Sequence, residues 1–447
     1  MTALVTMAPQ TLFMACAGLL VFGALTVIYI HCSGLGIGLF GCTAAWGVVA
    51  GAPPSVPLGI DAQPADILVL AALTAALFTL VSGPRPPCTP ELGALAVLML
   101  LVLGSLAAGA VAHGLQAAGN EARVSFLHVF GVAAYVAVAR PGLDLLPAFR
   151  RVWIGLALLS ALVALIGWSR YGIGSNSSQV LIDGRLANGR PVTAVAALLI
   201  CQAALIMLVL GRRCARLLAG ILLLVMVLLQ HRSVWVCALV MVGGWLLLRP
   251  QHRLRALAGT AAAVAVATVV VLLGHGLALM ETLAQSASDD RTMNWRVAGW
   301  ASLLEQLRDL PDWLLGRPFG TGFARLGSAH AVIDVSPHNY YLQLLLRIGL
   351  VGLAALALLL VCALCRVGRR DSVGLLLWLL VLGELVFWIT YAPGLTGGLL
   401  IGLLLRYAAE TGLRRPGRAA PPPPVRTLPA TALVQRPGRQ ENSHVPV

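Results

Sequence analysis

Four short polar clusters interrupt an otherwise apolar chain, and each carries side chains suited to holding phosphate or moving a proton. The first is Asp183-Gly184-Arg185-Leu186-Ala187-Asn188-Gly189-Arg190-Pro191. Two arginines beside a helix start make a site for phosphate oxygens, because guanidinium forks and free backbone N–H groups both favour anions. Pro191 suits the first turn of the following helix. The second, Gln230-His231-Arg232-Ser233, is a tight joint that pins Arg232 at a membrane surface. The third, Ser288-Asp289-Asp290-Arg291-Thr292-Met293-Asn294-Trp295-Arg296, puts Arg291 and Trp295 four apart on one helical face. Its adjacent carboxylates fit either a divalent cation or a helix N-terminus. The fourth, Ser336-Pro337-His338-Asn339-Tyr340-Tyr341-Leu342, leads into an apolar span. Ser336 is placed to cap that helix and Pro337 to open it, which would set His338 in the first turn. A histidine titrates near neutral pH, as a general base should. Taken singly, the arginines also read as interfacial anchors and His338 as an interfacial histidine.

The elements that must position these clusters are membrane spans. Of the 447 residues, 59% are hydrophobic and 11% charged, against roughly 25% charged in soluble domains. The mean hydropathy is +0.89. A soluble domain of this composition would have no polar skin. Apolar stretches of spanning length fall at 11–30, 34–52, 65–82, 92–113, 123–139, 150–170, 191–210, 214–230, 233–248, 256–280, 339–364, 372–391 and 396–411. The first two are divided only by His31, Cys32 and Ser33, so the expected architecture is an all-α bundle of about twelve spans. The chain contains no lysine, so its 31 basic residues are all arginine. Arginine-rich joints at 140–151, 212–216, 249–255 and 366–370 fall on one side, which the positive-inside rule makes cytoplasmic. All four polar clusters then face the other way. The long insert 281–338 lies there too, as one large loop within a body of residues 1–415. From 416 to 447 the chain is polar and proline-rich, and is expected to be a disordered cytoplasmic tail. Nine cysteines lie mostly in apolar runs, and Cys362-x-x-Cys365 is expected to pack.

The run His338-Asn339-Tyr340-Tyr341-Leu342-Gln343, with Arg347 and then Gly349 and Gly352, resembles the signature of the O-antigen ligase and polymerase superfamily. Arg291-Thr-Met-Asn-Trp295 resembles that family's Arg-x-x-x-Trp. Gly316-Arg-Pro-Phe-Gly320-Thr-Gly322-Phe323 resembles its glycine-rich segment, and His231-Arg232-Ser233 its Ser-Arg turn. Arg185-Leu-Ala-Asn188-Gly189 matches more loosely, which leaves open whether Arg185 or Arg190 is the counterpart. The resemblance covers about 180 to 365 and is carried by these motifs.

This likeness implies a bundle of about twelve helices with one large periplasmic loop, similar to the GT-C glycosyltransferases, in a Gram-negative inner membrane. It implies glycan transfer from undecaprenyl diphosphate to the lipid A-core. A second lipid-linked repeat unit is the acceptor in the polymerase branch, and a protein hydroxyl in a third. A lipid transporter is the non-enzymatic alternative, although its polar groups should line a midplane cavity. The expected roles are His338 as general base and Arg185, Arg190, Arg232 and Arg291 on diphosphate. Arg296, Asn339 and Tyr341 complete the substrate-binding set. Arginines preorganised on the leaving diphosphate stabilise charge that grows in the transition state. No metal, cofactor or nucleic-acid partner is expected.

Overall fold

The structure, a computed structural model, describes residues 9–51, 55–57, 61–83, 88–138, 145–173, 179–182, 185–188, 190–211, 213–249, 291–326, 332–369 and 371–413. The expected span 256–280, the start of the long insert and the tail 416–447 lie outside the described residues. The first helices are α1 (Pro9–His31), α2 (Ser33–Ala50), α3 (Pro64–Ser82), α4 (Pro90–His113), α5 (Leu115–Val138), α6 (Leu145–Tyr171), α7 (Ala194–Leu210), α8 (Arg213–Leu228) and α9 (Arg232–Leu248). After two short helices, α10 (Arg291–Leu304) and α11 (Leu310–Leu315), come α12 (Tyr340–Arg366), α13 (Ser372–Phe387) and α14 (Leu395–Leu413). Among the described residues, six helices are long and apolar enough to cross a membrane. The chain is an all-α membrane protein, and among the described residues β-structure is limited to two-stranded ladders such as Gln179–Ile182 with Arg185–Asn188 and Ala324–Leu326 with Val332–Asp334.

Helix starts follow local capping chemistry. Thr89 caps α4, Thr193 caps α7 and Asp371 caps α13, each side chain accepting an otherwise orphaned backbone N–H. Pro191 therefore stands before α7, not in its first turn. Helix α1 folds back on α2, since the rings of Tyr29 and Phe40 meet at 5.3 Å. Small residues allow the closest approaches: a Cβ added at Gly398 would lie 2.5 Å from the Val129 carbonyl, and Gly402, four residues on, abuts Ala133 and Val136. These glycines let α14 lie directly on α5.

The glycine-rich segment 316–323 is built into the bundle. Gly349 bends α12 with φ 65°, and a Cβ there would sit 2.1 Å from the Leu314 carbonyl, so α11 docks on the bend. The Leu346 carbonyl accepts from the Arg317 N–H at 2.8 Å. Arg347 bridges helices rather than snorkelling. Its guanidinium pairs with Glu121 of α5, donates to the Gly322 carbonyl and lies over the Phe323 ring at 4.4 Å. Glu121 in turn accepts from Gly320 N–H at 2.7 Å. Truncating one member of a buried ion pair strands the other, at a cost of about 3–5 kcal/mol. Glu121→Ala should therefore lower unfolding free energy in detergent by that order, and an unchanged unfolding curve would show that Arg347 does not rely on this partner.

Candidate active site

Helix polarity brings Arg190 and His338 to one end of the bundle. Arg190 precedes α7 and Arg213 follows it; His338 precedes α12 and Arg366 ends it. The site residues thus lie at the opposite helix ends from the arginine-rich joints.

Arg190 is fixed by a histidine. Its Nη1 lies 3.1 Å from His231 Nδ1, and His231 Nε2 lies 3.0 Å from the Val192 carbonyl. A carbonyl only accepts and a guanidinium only donates, so the proton belongs on Nε2 and Nδ1 accepts. Burial, reinforced by Arg190 and opposed by the Val192 bond, pushes the His231 pKa down to about 4. The ring is therefore a neutral strut between the α8–α9 joint and the start of α7. Burial also lowers the Arg190 pKa, with Tyr391 opposing and Arg232 adding to the shift. Arg232 opens α9 beside this pair.

His338 stands outside its helix. Asn339 is the N-cap of α12, its side chain accepting from Leu342 N–H at 3.0 Å, and the helix begins at Tyr340. The expected Ser336 cap and first-turn His338 are thus corrected. The cause is His338 itself, whose left-handed φ of 52° breaks the helical run. Ser336 Oγ instead accepts from Gln343 Nε2 at 2.5 Å. Two side chains clamp the segment: Trp300 Nε1 donates to the Pro337 carbonyl at 2.8 Å, and Arg325 donates to the carbonyls of Val335 and Ser336. A non-glycine residue held at positive φ by surrounding contacts is strained, and such strain clusters at functional sites.

Tyr391, in the turn between α13 and α14, lies against His338 and Arg296 and within electrostatic reach of Arg190. The His338 and Tyr391 rings lie 6.1 Å apart, edge to face, and the Arg296 guanidinium sits 5.4 Å from the Tyr391 centroid. Phe387 stacks on Tyr391 at 4.8 Å. Arg296 Nη1 reaches the Thr390 carbonyl at 3.5 Å. The Nε–H groups of Arg190 and Arg296 are buried without a partner among the described residues. Buried donors are normally satisfied, so two unmet guanidinium donors suit an anionic ligand.

Arg190, Arg232, Arg296 and His338 are therefore brought together. The Asn339 oxygen caps its helix, and the Tyr341 hydroxyl donates to the Leu385 carbonyl at 2.7 Å. Arg185 lies on a strand opposite Ile182, and Arg291 is the first residue of α10; both side chains lie outside the described residues, as do Asp289 and Asp290. Sequence reasoning missed Tyr391, Arg325 and Trp300. The signal for Tyr391 was present: the turn Tyr391-Ala392-Pro393-Gly394 falls on the same face as the four clusters.

Burial lowers the His338 pKa, and Arg296 and Arg325 lower it further. A general base must be neutral, so a depressed pKa keeps it competent to lower pH. The acidic limb of kcat/KM is expected below the ordinary histidine value of 6.5, with activity falling as pH drops through it. Arg296→Ala should move that limb upward, because a positive neighbour is lost. A limb above the ordinary value in the wild type would contradict this electrostatic picture.

Fold and site define a helical membrane protein with a histidine and several arginines gathered at one end of its bundle. Residues 217–357 match the family model described as O-antigen ligase. The matched segment runs from α8 into α12 and includes His231, Arg232, Arg296 and His338; Arg190 and Tyr391 lie outside it. No curated protein matches the chain.

Proposed function

We propose that the protein is an O-antigen ligase of the Gram-negative inner membrane. It takes the glycan from an undecaprenyl-diphosphate donor and joins it to lipid A-core, on a periplasmic face of a GT-C-like bundle of about twelve spans. The observation that carries the reading is the packing of His338 and Arg296 on Tyr391, within electrostatic reach of Arg190, with buried Nε–H donors of both arginines suited to an anion.

The chemistry follows from the parts. Diphosphate leaves as an anion, so the leaving side needs charge stabilisation rather than a proton donor. Arg190 and Arg296 supply fixed N–H donors there, with Arg232 adding positive charge. The acceptor hydroxyl loses its proton to neutral His338 as it attacks the anomeric carbon. The new glycosidic C–O bond forms as the bond to the diphosphate oxygen breaks. One displacement inverts that carbon. The arginines take the electrostatic role that a divalent metal has in many glycosyltransferases, and the reaction is proposed to need no metal. Transfer in excess chelator, with the product of inverted anomeric configuration by NMR, is the expected result. Activity lost in chelator and restored only by Mg²⁺ or Mn²⁺ would return Asp289 and Asp290 to the mechanism as ligands, and a retained configuration would exclude single displacement.

A further inference from the structure

A carboxyl group buried in the apolar body joins the two halves of this site. Glu384, on α13, accepts Gln202 Nε2–H at 2.8 Å on one oxygen and Trp388 Nε1–H at 3.0 Å on the other. Gln202, on α7, accepts Trp153 Nε1–H from α6 at 2.8 Å. All four side chains are buried. An ionisable group inside a membrane bundle is expensive and marks function more often than packing. Trp388 carries the connection onward: its carbonyl accepts the Tyr340 N–H at 2.8 Å, and its ring packs on Tyr340 at 5.1 Å. Tyr340 is two residues from His338. Next to Trp388, the Leu385 carbonyl takes the Tyr341 hydroxyl. In the other direction Gln202 belongs to the helix that Arg190 and Val192 directly precede. Glu384 and Gln202 also line a crevice beneath Ala392, Pro393 and Gly394, the turn that presents Tyr391.

We propose that Glu384 is a positioning residue, holding the His338 segment in register with Arg190 and Tyr391 through its bonds to Trp388 and Gln202. The inference rests on His338 being the proton acceptor. Glutamate is specific here because both oxygens accept. A glutamine offers one oxygen, and its NH₂ would face one of the two N–H donors.

The test uses full-length protein in lipid nanodiscs with undecaprenyl-diphosphate glycan and lipid A-core. Glu384→Ala and Trp388→Phe should each lower kcat by roughly 10–100-fold, the scale of a small misplacement of a reacting group. The donor KM should stay within about twofold, because the arginines remain. The acidic limb of the pH profile should move up toward that of an ordinary histidine, since a loosened His338 gains water. A purely structural role would scale the profile down without moving the limb, and that result, or unchanged kcat, would overturn the proposal. If Glu384→Ala does not accumulate, Trp388→Phe decides alone, because it keeps an aromatic ring against Tyr340. Wild-type transfer by His338→Ala would instead sink the catalytic reading itself. An inactive His338→Ala beside a silent Trp388→Phe would sink only this inference.

Discussion

His338→Ala is expected to reduce glycan transfer by about 10²–10⁴-fold, the usual contribution of a positioned base, while the protein still inserts and purifies normally. The acceptor hydroxyl is a poor nucleophile until its proton has somewhere to go. His338 is half-buried, held at φ 52°, and kept neutral by burial and by Arg296 and Arg325. No helix hydrogen bond requires the histidine, because α12 starts two residues later on its Asn339 cap. Loss of the ring should thus spare the fold and remove the chemistry. Wild-type-like transfer by a well-folded alanine variant would remove His338 from the mechanism.

The second large effect is expected at Arg190. Removing a preorganised donor from a developing oxyanion typically lowers kcat by about 10²–10³-fold. Arg190→Lys should do nearly as much damage as Arg190→Ala. Lysine keeps the charge but lacks the planar fork that reaches His231 Nδ1 while leaving further N–H groups for a ligand. The damage should appear mainly in kcat, because the charge on diphosphate grows toward the transition state. Full activity in the lysine variant would show that point charge suffices and that the fork has no part. Arg296→Lys provides a parallel check, since its guanidinium also lies over Tyr391, where a planar cation stacks well.

Much of the bundle was legible because lipid imposes a strong pattern on sequence. Nearly every expected span has a helix within a few residues of its predicted bounds, from 65–82 against Pro64–Ser82 to 396–411 against Leu395–Leu413. Helix starts were less legible. Ser336 and Pro337 look like a cap and an opening proline, but the left-handed His338 postpones the helix to Asn339, and backbone strain of that kind leaves no compositional trace. Pro191 misled in the same way, with Thr193 three residues before Ala196 taking the cap. The polar clusters were visible one by one, yet the residues joining them were not. Tyr391 is an ordinary aromatic in a short turn, and Glu384 and Gln202 are single polar residues in apolar helices. Their meaning comes from which helices touch, a property of packing that a single sequence does not print. Arg347 shows the intermediate case: a charge inside a span announces a partner, but only the fold names Glu121.

The most direct test of the central claim is a reconstituted assay with purified protein, undecaprenyl-diphosphate glycan and lipid A-core, in the presence of chelator. Glycan on lipid A-core, lost in His338→Ala, is the predicted result. Longer lipid-linked glycan with lipid A-core untouched would contradict it and make the protein a polymerase, and no transfer to either would move the search to a protein acceptor.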